Sequence, residues 1–318
     1  MRTINSKSFY FFLGVTLTLV AGILSASIFL PNDLLVSSNN NPDEQFPQGY
    51  KIISPRIPGY MEFASERVPL ENFDVYERID REFIVNTYFH SSTILALKRA
   101  NRWFPVIEPI LKKNNIPDDF KFLCVAESNL ENVISPAGAT GFWQFLKETG
   151  QKYGLVINNQ IDERYHVEKS TEAACKYLQE AHDLFGSWMM AAGSYNMGID
   201  GMQKQIERQK SYHYYNMVLS AETSRYVSRI MAFKEIFKVP EQYGFDLTAY
   251  EMYAPLIHNI EVLDSSVSDF ADYATSLGIN YRTLKLYNPW LRDNKLNNKK
   301  KKVYEIKIPE EGSIEIIN

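Results

Sequence analysis

Cysteine and histidine are scarce in this chain, and neither is arranged to hold a metal. The 318 residues contain two cysteines, Cys124 and Cys175, and five histidines. No C-x-x-C pair occurs, which removes the zinc-ribbon and dithiol-redox classes. His90, His166, His182, His213 and His258 show no H-E-x-x-H spacing, so the sequence implies no metal and no cofactor. Each cysteine lies in an apolar segment. Two buried thiols is the plainer reading, and one disulfide is the alternative open to an oxidising compartment. An excess of basic charge is lacking as well. A net charge of -4 and a pI near 5.8 argue against a nucleic-acid partner, whose phosphates call for a basic face. Glycine and proline, at 15 and 14, are too few for a fibrous or wholly disordered chain.

Near the N-terminus charge is missing altogether: residues 9–30 carry none, and Arg2 and Lys7 precede them. About 20 apolar residues suffice to cross a bilayer, and flanking positive charge keeps that end in the cytoplasm. Residues 1–30 are therefore expected to be a signal-anchor, or else a signal peptide cut near Ser25-Ala26-Ser27. Either way the rest belongs in the cell envelope, membrane-anchored or secreted to the periplasm. Residues 31–67 read as a polar spacer that turns into an extended strap of mixed prolines and apolar residues.

Helical spacing dominates from there to about residue 239. Phe104, Val106, Ile107, Ile110 and Leu111 recur on one face, and Ile116-Pro117-Asp118-Asp119 opens the next helix. A later helix is expected to begin near Ser170, to bury Ala173, Ala174, Tyr177, Leu178, Ala181, Leu184 and Phe185, and to stop at Gly186. After Pro240 the pattern becomes mixed, with short helices over 268–277 and 281–287 and a strand over 303–308. The fold class is thus mainly α, with an all-α domain over 68–240 and a small α/β appendage over 258–318.

Within the all-α region one carboxylate stands out. Phe120, Leu123, Cys124 and Glu127 fall at i, i+3, i+4 and i+7, and the other face holds Phe122, Val125 and Ala126. A glutamate ending so apolar a helix is poorly solvated, which raises its pKa and suits it to act as a general acid. Taken alone, a glutamate is more often a surface or ion-paired residue. Ten residues on, 137–145 read Ala-Gly-Ala-Thr-Gly-Phe-Trp-Gln-Phe, where two glycines allow a tight loop to approach a ligand and Thr140 suits the cap of a following helix. Gln144 among aromatic residues offers fixed amide groups beside an apolar wall, as a sugar ring requires. Small residues around Tyr195-Asn196 let that helix pack closely and set the pair at a cleft wall. Glu222-Thr223-Ser224-Arg225-Tyr226 opens the last long helix.

In order, Glu127-Ser128, Gly138-x-x-Gly141-x-Trp143-Gln144, Ala192-x-x-Tyr195-Asn196-x-Gly198 and Glu222-Thr223-x-x-Tyr226 closely resemble the soluble-lytic-transglycosylase domain. Phe142-Trp143, in place of the Leu-Met of other branches, matches the membrane-bound lytic murein transglycosylase D group. The third motif departs, reading Ala-Gly-Ser-Tyr-Asn-Met-Gly where the family usually has Ala-Ala-Tyr-Asn-Ala-Gly. Ser268-Asp269-Phe270, Leu277-Gly278-Ile279, Leu286-Tyr287-Asn288-Pro289 and Ile306-x-Ile308-Pro309 resemble a degenerate LysM module, a small glycan-binding fold, without its opening glycine-aspartate.

The resemblance implies a lysozyme-like catalytic domain that cleaves the β-1,4 bond between N-acetylmuramic acid and N-acetylglucosamine without net hydrolysis. It implies Glu127 as catalytic acid and then base. Gln144, Tyr195 and Asn196 would position substrate, Tyr226 would hold or tune Glu127, and Ser128 would contact substrate or anchor the helix end. The implied partner is the peptidoglycan glycan strand, with the membrane reached through the N-terminal segment, and the C-terminal module would help hold glycan. A goose-type lysozyme that hydrolyses the same bond, and a non-catalytic wall-binding protein, are the rival readings. The intact acid inside an intact constellation weighs against the second.

Overall fold

The computed structural model describes residues 52–313. The charge-free run and most of the spacer lie outside these residues, and no helix among the described residues is long and apolar enough to cross a membrane. The strap contains a small hairpin, β1 (Glu62–Phe63) paired with β2 (Glu66–Arg67). Ala64 and Ser65 between them both take positive φ, as a two-residue turn matched to strand twist demands. The hairpin is tied down: Ala64 donates its N–H to Asp119 at 2.7 Å, and Lys234 bridges Asp119 and the Glu62 carbonyl, each at 2.8 Å.

Eight helices follow: α1 (Phe73–Tyr88), α2 (His90–Lys113), α3 (Lys121–Ser128), α4 (Lys147–Lys152), α5 (Val167–Phe185), α6 (Trp188–Met197), α7 (Ile199–Gln209) and α8 (Ala221–Lys238). The mainly α class is thus what the chain adopts. α6 is apolar on every side and buries Met189, Met190, Ala191, Ala192, Gly193 and Ser194, so it runs through the core. Its exposed backbone N–H groups are met by Glu66 of the hairpin, which accepts from Trp188 N and from Met189 N at 3.3 Å. A carboxylate at a helix N-terminus satisfies both orphan donors and the dipole. α5 ends at Gly186 in the left-handed region, as its sequence suggests. It starts earlier than expected, at Val167, and its last turn projects Leu184 outward at 53% exposure while Ala181 and Phe185 keep the buried stripe. Cys124 and Cys175 are separate buried thiols, and burial pushes the Cys175 pKa up to about 12.

The C-terminal module has the order β3 (His258–Leu263), α9 (Phe270–Ser276), α10 (Tyr281–Tyr287) and β4 (Tyr304–Pro309). β3 and β4 pair antiparallel from His258↔Pro309 to Leu263↔Tyr304. β3 escapes the hydrophobic pattern because its alternating Ile260 and Val262 face solvent. The Tyr287-Asn288 motif has a structural basis: the Asn288 side chain, fully buried, donates to Lys307 O and accepts from Lys307 N, both at 2.8 Å. The lysine run is an exposed loop closed by Asn298, which exchanges two hydrogen bonds with Lys302.

The module is not a freely hanging appendage. Its core of Phe270, Leu284, Trp290, Leu291 and Ile306 also contains Ile161 and Tyr165, which precede α5. The intervening segment lies along α2, where Arg102 donates to Ala254 O at 2.8 Å and covers the Tyr253 ring.

Candidate functional site

Glu127 occupies the last turn of α3, whose neighbours Phe122, Leu123, Cys124 and Val125 are all buried. Glu127 itself is half-buried. Burial pushes its pKa up to about 7. The hydrogen bond from Tyr226 opposes that rise, as does the positive charge of Arg229, and Glu222 adds a lesser upward push. Tyr226 comes from α8, is 2% exposed, and donates its hydroxyl to Oε1 of Glu127. Its own pKa is driven far above the ordinary tyrosine value, first by burial and then by the Glu127 charge, so it remains a donor.

Arg229 stands one turn further along α8. Its guanidinium reaches Glu82 at 3.2 Å and Glu222 at 3.0 Å, so part of its charge is already matched. Glu82, on α1, is only 1% exposed and is shared among Arg81, Arg225 and Arg229. The cations gathered around it offset the cost of burying a carboxylate there.

Residues 138–145 form a knotted turn beside α3 rather than a loop leading straight into a helix. Thr140 N–H bonds Phe145 O at 3.0 Å and Gly141 N–H bonds Val133 O at 2.9 Å. Thr140 therefore caps nothing, and helix α4 starts only at Lys147. Gly141 has φ +82°, and a Cβ there would stand 2.0 Å from the Arg164 carbonyl oxygen. The close approach that glycine permits is to the protein's own backbone. Gln144 also sits in the left-handed region, at φ +48°.

Three expected site residues converge on successive carbonyls of this turn. Gln144 donates to Gly141 O at 2.7 Å, Ser128 to Phe142 O at 2.8 Å, and Tyr195 to Trp143 O at 2.7 Å. Trp143 is fully buried and donates to Thr171 at 2.8 Å. Asn196 lies one step further off, its Oδ1 accepting from Thr223 of α8 at 2.8 Å. Each of these side chains thus has a partner within the protein, and together they lock α3, α6, α8 and the turn around Glu127. The variant glycine of the third motif has a local cause: a Cβ at Gly193 would meet the Tyr214 ring at 2.7 Å.

Sequence reasoning did not single out Glu82, Arg164 or Arg229. Arg229 falls at i+3 from Tyr226 and i+7 from Glu222, a spacing that would have placed it on the same face. Glu82 and Arg164 carry no such signal, since each meets the site from a distant stretch of chain.

Residues 104–218 match the transglycosylase SLT domain family, and residues 259–312 match the soluble lytic transglycosylase C-terminal LysM-like domain family. Membrane-bound lytic murein transglycosylase D of Escherichia coli (strain K12) is 30% identical over 232 residues, 71% of this chain and 50% of that protein. The protein of the same name from Escherichia coli O6:H1 matches to the same extent. The chain spans about half the length of the curated relatives it matches. Among solved structures, an inactive mutant of lytic transglycosylase Slt from Pseudomonas aeruginosa is 16% identical with a TM-score of 0.35, covering 54% of this chain and 33% of that one. Tyr226 lies beyond the matched SLT residues, yet it closes the site on Glu127. The chain carries a transglycosylase SLT domain, in which Glu127 sits, followed by a LysM-like domain of the soluble-lytic-transglycosylase type.

Proposed function

We propose that this protein is a peptidoglycan lytic transglycosylase that cleaves the N-acetylmuramic acid–N-acetylglucosamine bond and leaves 1,6-anhydro ends. What supports this most is the state of Glu127, a carboxyl whose pKa of about 7 leaves it substantially protonated near neutrality. Glu127 gives its proton to the glycosidic oxygen as the bond breaks. The substrate's own acetamido group stabilises the cationic sugar, as in substrate-assisted glycosidases. Glu127, now a carboxylate, takes the proton from the C6 hydroxyl, whose oxygen closes the anhydro ring. Tyr226 orients Oε1 through both steps. Ser128, Gln144, Tyr195 and Asn196 position the glycan, with their hydrogen bonds to the turn and to α8 fixing the wall it lies against.

A two-carboxylate hydrolase has less support. Glu222, the other carboxylate whose charge Glu127 feels, is exposed and paired with Arg225 and Arg229. Digesting purified peptidoglycan and weighing the products decides between the readings. Products one water lighter than reducing-end fragments are expected, and reducing ends alone would make the protein a lysozyme. Residues 1–30 direct the catalytic part to the outer side of a membrane, with residues 31–67 as spacer and extended strap, 68–240 as catalytic domain and 258–318 as module. A periplasm-only reporter fused after Asn318 should be active, and a silent one would sink that placement.

A further inference from the structure

We infer that Arg164 is a positioning residue that clamps the turn beside Glu127 and links it to the C-terminal module. One nitrogen, Nη1, donates to Gly138 O and to Phe145 O, each at 3.1 Å, and so holds the two ends of residues 138–145 together. The carbonyl of the same residue forms the floor against which Gly141 packs. Arg164 is aimed by Asp162, which accepts from Nε at 3.0 Å and from Nη2 at 2.7 Å. A two-point carboxylate grip fixes the plane of a guanidinium in a way a lysine cannot reproduce. Both partners are close to buried, their side chains 11% and 10% exposed, so solvent competes little with the pairing.

The same short stretch is gripped from the other side by the module. Asp162 N–H bonds Trp290 O at 2.9 Å, and Arg292 N–H bonds Gln160 O at 2.8 Å. The Arg292 guanidinium lies 4.1 Å from the centre of the Tyr165 ring. Ile161 and Tyr165, which flank the Asp162–Arg164 pair, are buried in the module's core. A continuous path of hydrogen bonds therefore runs from Trp290 through Asp162 and Arg164 to the turn. Three residues before Phe145 on the same turn, Phe142 O accepts from Ser128, the neighbour of Glu127. The module acts on the site as a buttress: it holds the Asp162–Arg164 pair where the turn needs it.

This rests on the proposed activity only for its catalytic consequence, and amide exchange tests the clamp independently. In the full chain, Arg164→Ala should speed hydrogen exchange at Thr140 and Gly141 by about 10- to 100-fold, the loss expected for charge-assisted hydrogen bonds. Exchange in α3 and α8 should stay unchanged. Arg164→Lys should restore only part of the protection. Arg292→Ala, an exposed position in the module, should speed the same two amides by a smaller factor. On peptidoglycan, Arg164→Ala should lower kcat more than it raises KM, because the acid stays while the wall beside it loosens. Unaltered exchange at Thr140 and Gly141 in Arg164→Ala would overturn the clamp. Unaltered exchange there in Arg292→Ala would overturn a link carried by the Arg292–Tyr165 contact, the one grip of the module that this variant removes while the main-chain bonds stay. Uniform loss of protection across the domain would reduce Arg164 to a general stabiliser. Wild-type digestion read alongside reports on the activity itself: if no anhydro product forms, the functional reading falls while exchange still decides the clamp.

Discussion

The Tyr226 hydroxyl donates to the Glu127 carboxylate across 99 positions of sequence, joining the first turns of α8 to the last turn of α3. That bond stabilises the charged form of Glu127 and so restrains the rise in pKa that burial drives. In Tyr226→Phe the pKa should climb further. Since the proposed mechanism begins from protonated Glu127, the alkaline limb of the kcat/KM profile should move to higher pH. The maximal rate should drop by about tenfold as the carboxyl loses its anchor. An alkaline limb that stays put or moves down would contradict this.

Glu127→Gln should abolish turnover, by about 10²–10⁴-fold or more, because in the proposed mechanism one group serves as acid and then as base. Near-normal digestion of peptidoglycan by this variant would remove Glu127 from the mechanism.

The same substitution should leave a stability signature. The folded pKa of Glu127 lies near 7 against an ordinary 4.5, so the native state binds this proton more tightly than the unfolded chain. Native stability is then complete below about pH 4.5 and falls as pH rises toward 7, by up to about 3 kcal/mol. Glu127→Gln does not ionise. It should be more stable than wild type at about pH 8, with the advantage shrinking as pH is lowered toward 4. Denaturant midpoints at several pH values measure this, and a constant difference would show that Glu127 is not destabilised by burial.

Gly138 and Gly141 share φ +82°, but only at Gly141 would a Cβ run into backbone. Gly138→Ala should cost about 1–2 kcal/mol, the strain of a left-handed alanine. Gly141→Ala should cost that and an overpacking term of about 1–3 kcal/mol, with loss of activity as the turn shifts away from Arg164. Thermal midpoints of the two variants decide it, and equal effects would mean the turn yields freely.

Ending the chain after Val239 removes the cover of Ile161 and Tyr165, now 2% and 6% exposed. Uncovering two such side chains costs about 1.5–3 kcal/mol each, enough to lower Tm by roughly 5–15 °C. Cleavage of short soluble fragments should suffer along with cleavage of sacculi. Full activity on soluble fragments with reduced sacculus binding would instead favour a module that only holds glycan.

Much of the architecture is legible without coordinates where the signal is local. The αL stop at Gly186 and helix α10 at Tyr281–Tyr287 follow from short-range pattern. The turn at 138–145 is not written in local pattern, because its left-handed Gln144 is supported by hydrogen bonds to Val133 and Gly141 rather than by its neighbours' propensities. The strand β3 is hidden for another reason: its apolar residues face outward and leave no buried alternation to read.

The sequence by itself determined that one carboxylate ends an apolar helix, so that packing the helix into a core takes that carboxylate out of water with it. It also determined which residue types gather nearby, through motifs whose spacing survives in order. What only the tertiary structure decided is how those side chains are used. Ser128, Gln144 and Tyr195 each had several polar partners open to them, and folding assigned them three adjacent carbonyls. Arg164 and Glu82 reach the site from separate parts of the chain, and Arg229, although it shares a helix face with Tyr226, finds its partner Glu82 on α1. Hydrogen bonds and ion pairs depend on distance in space, and residue order constrains that distance only within a turn or two of helix.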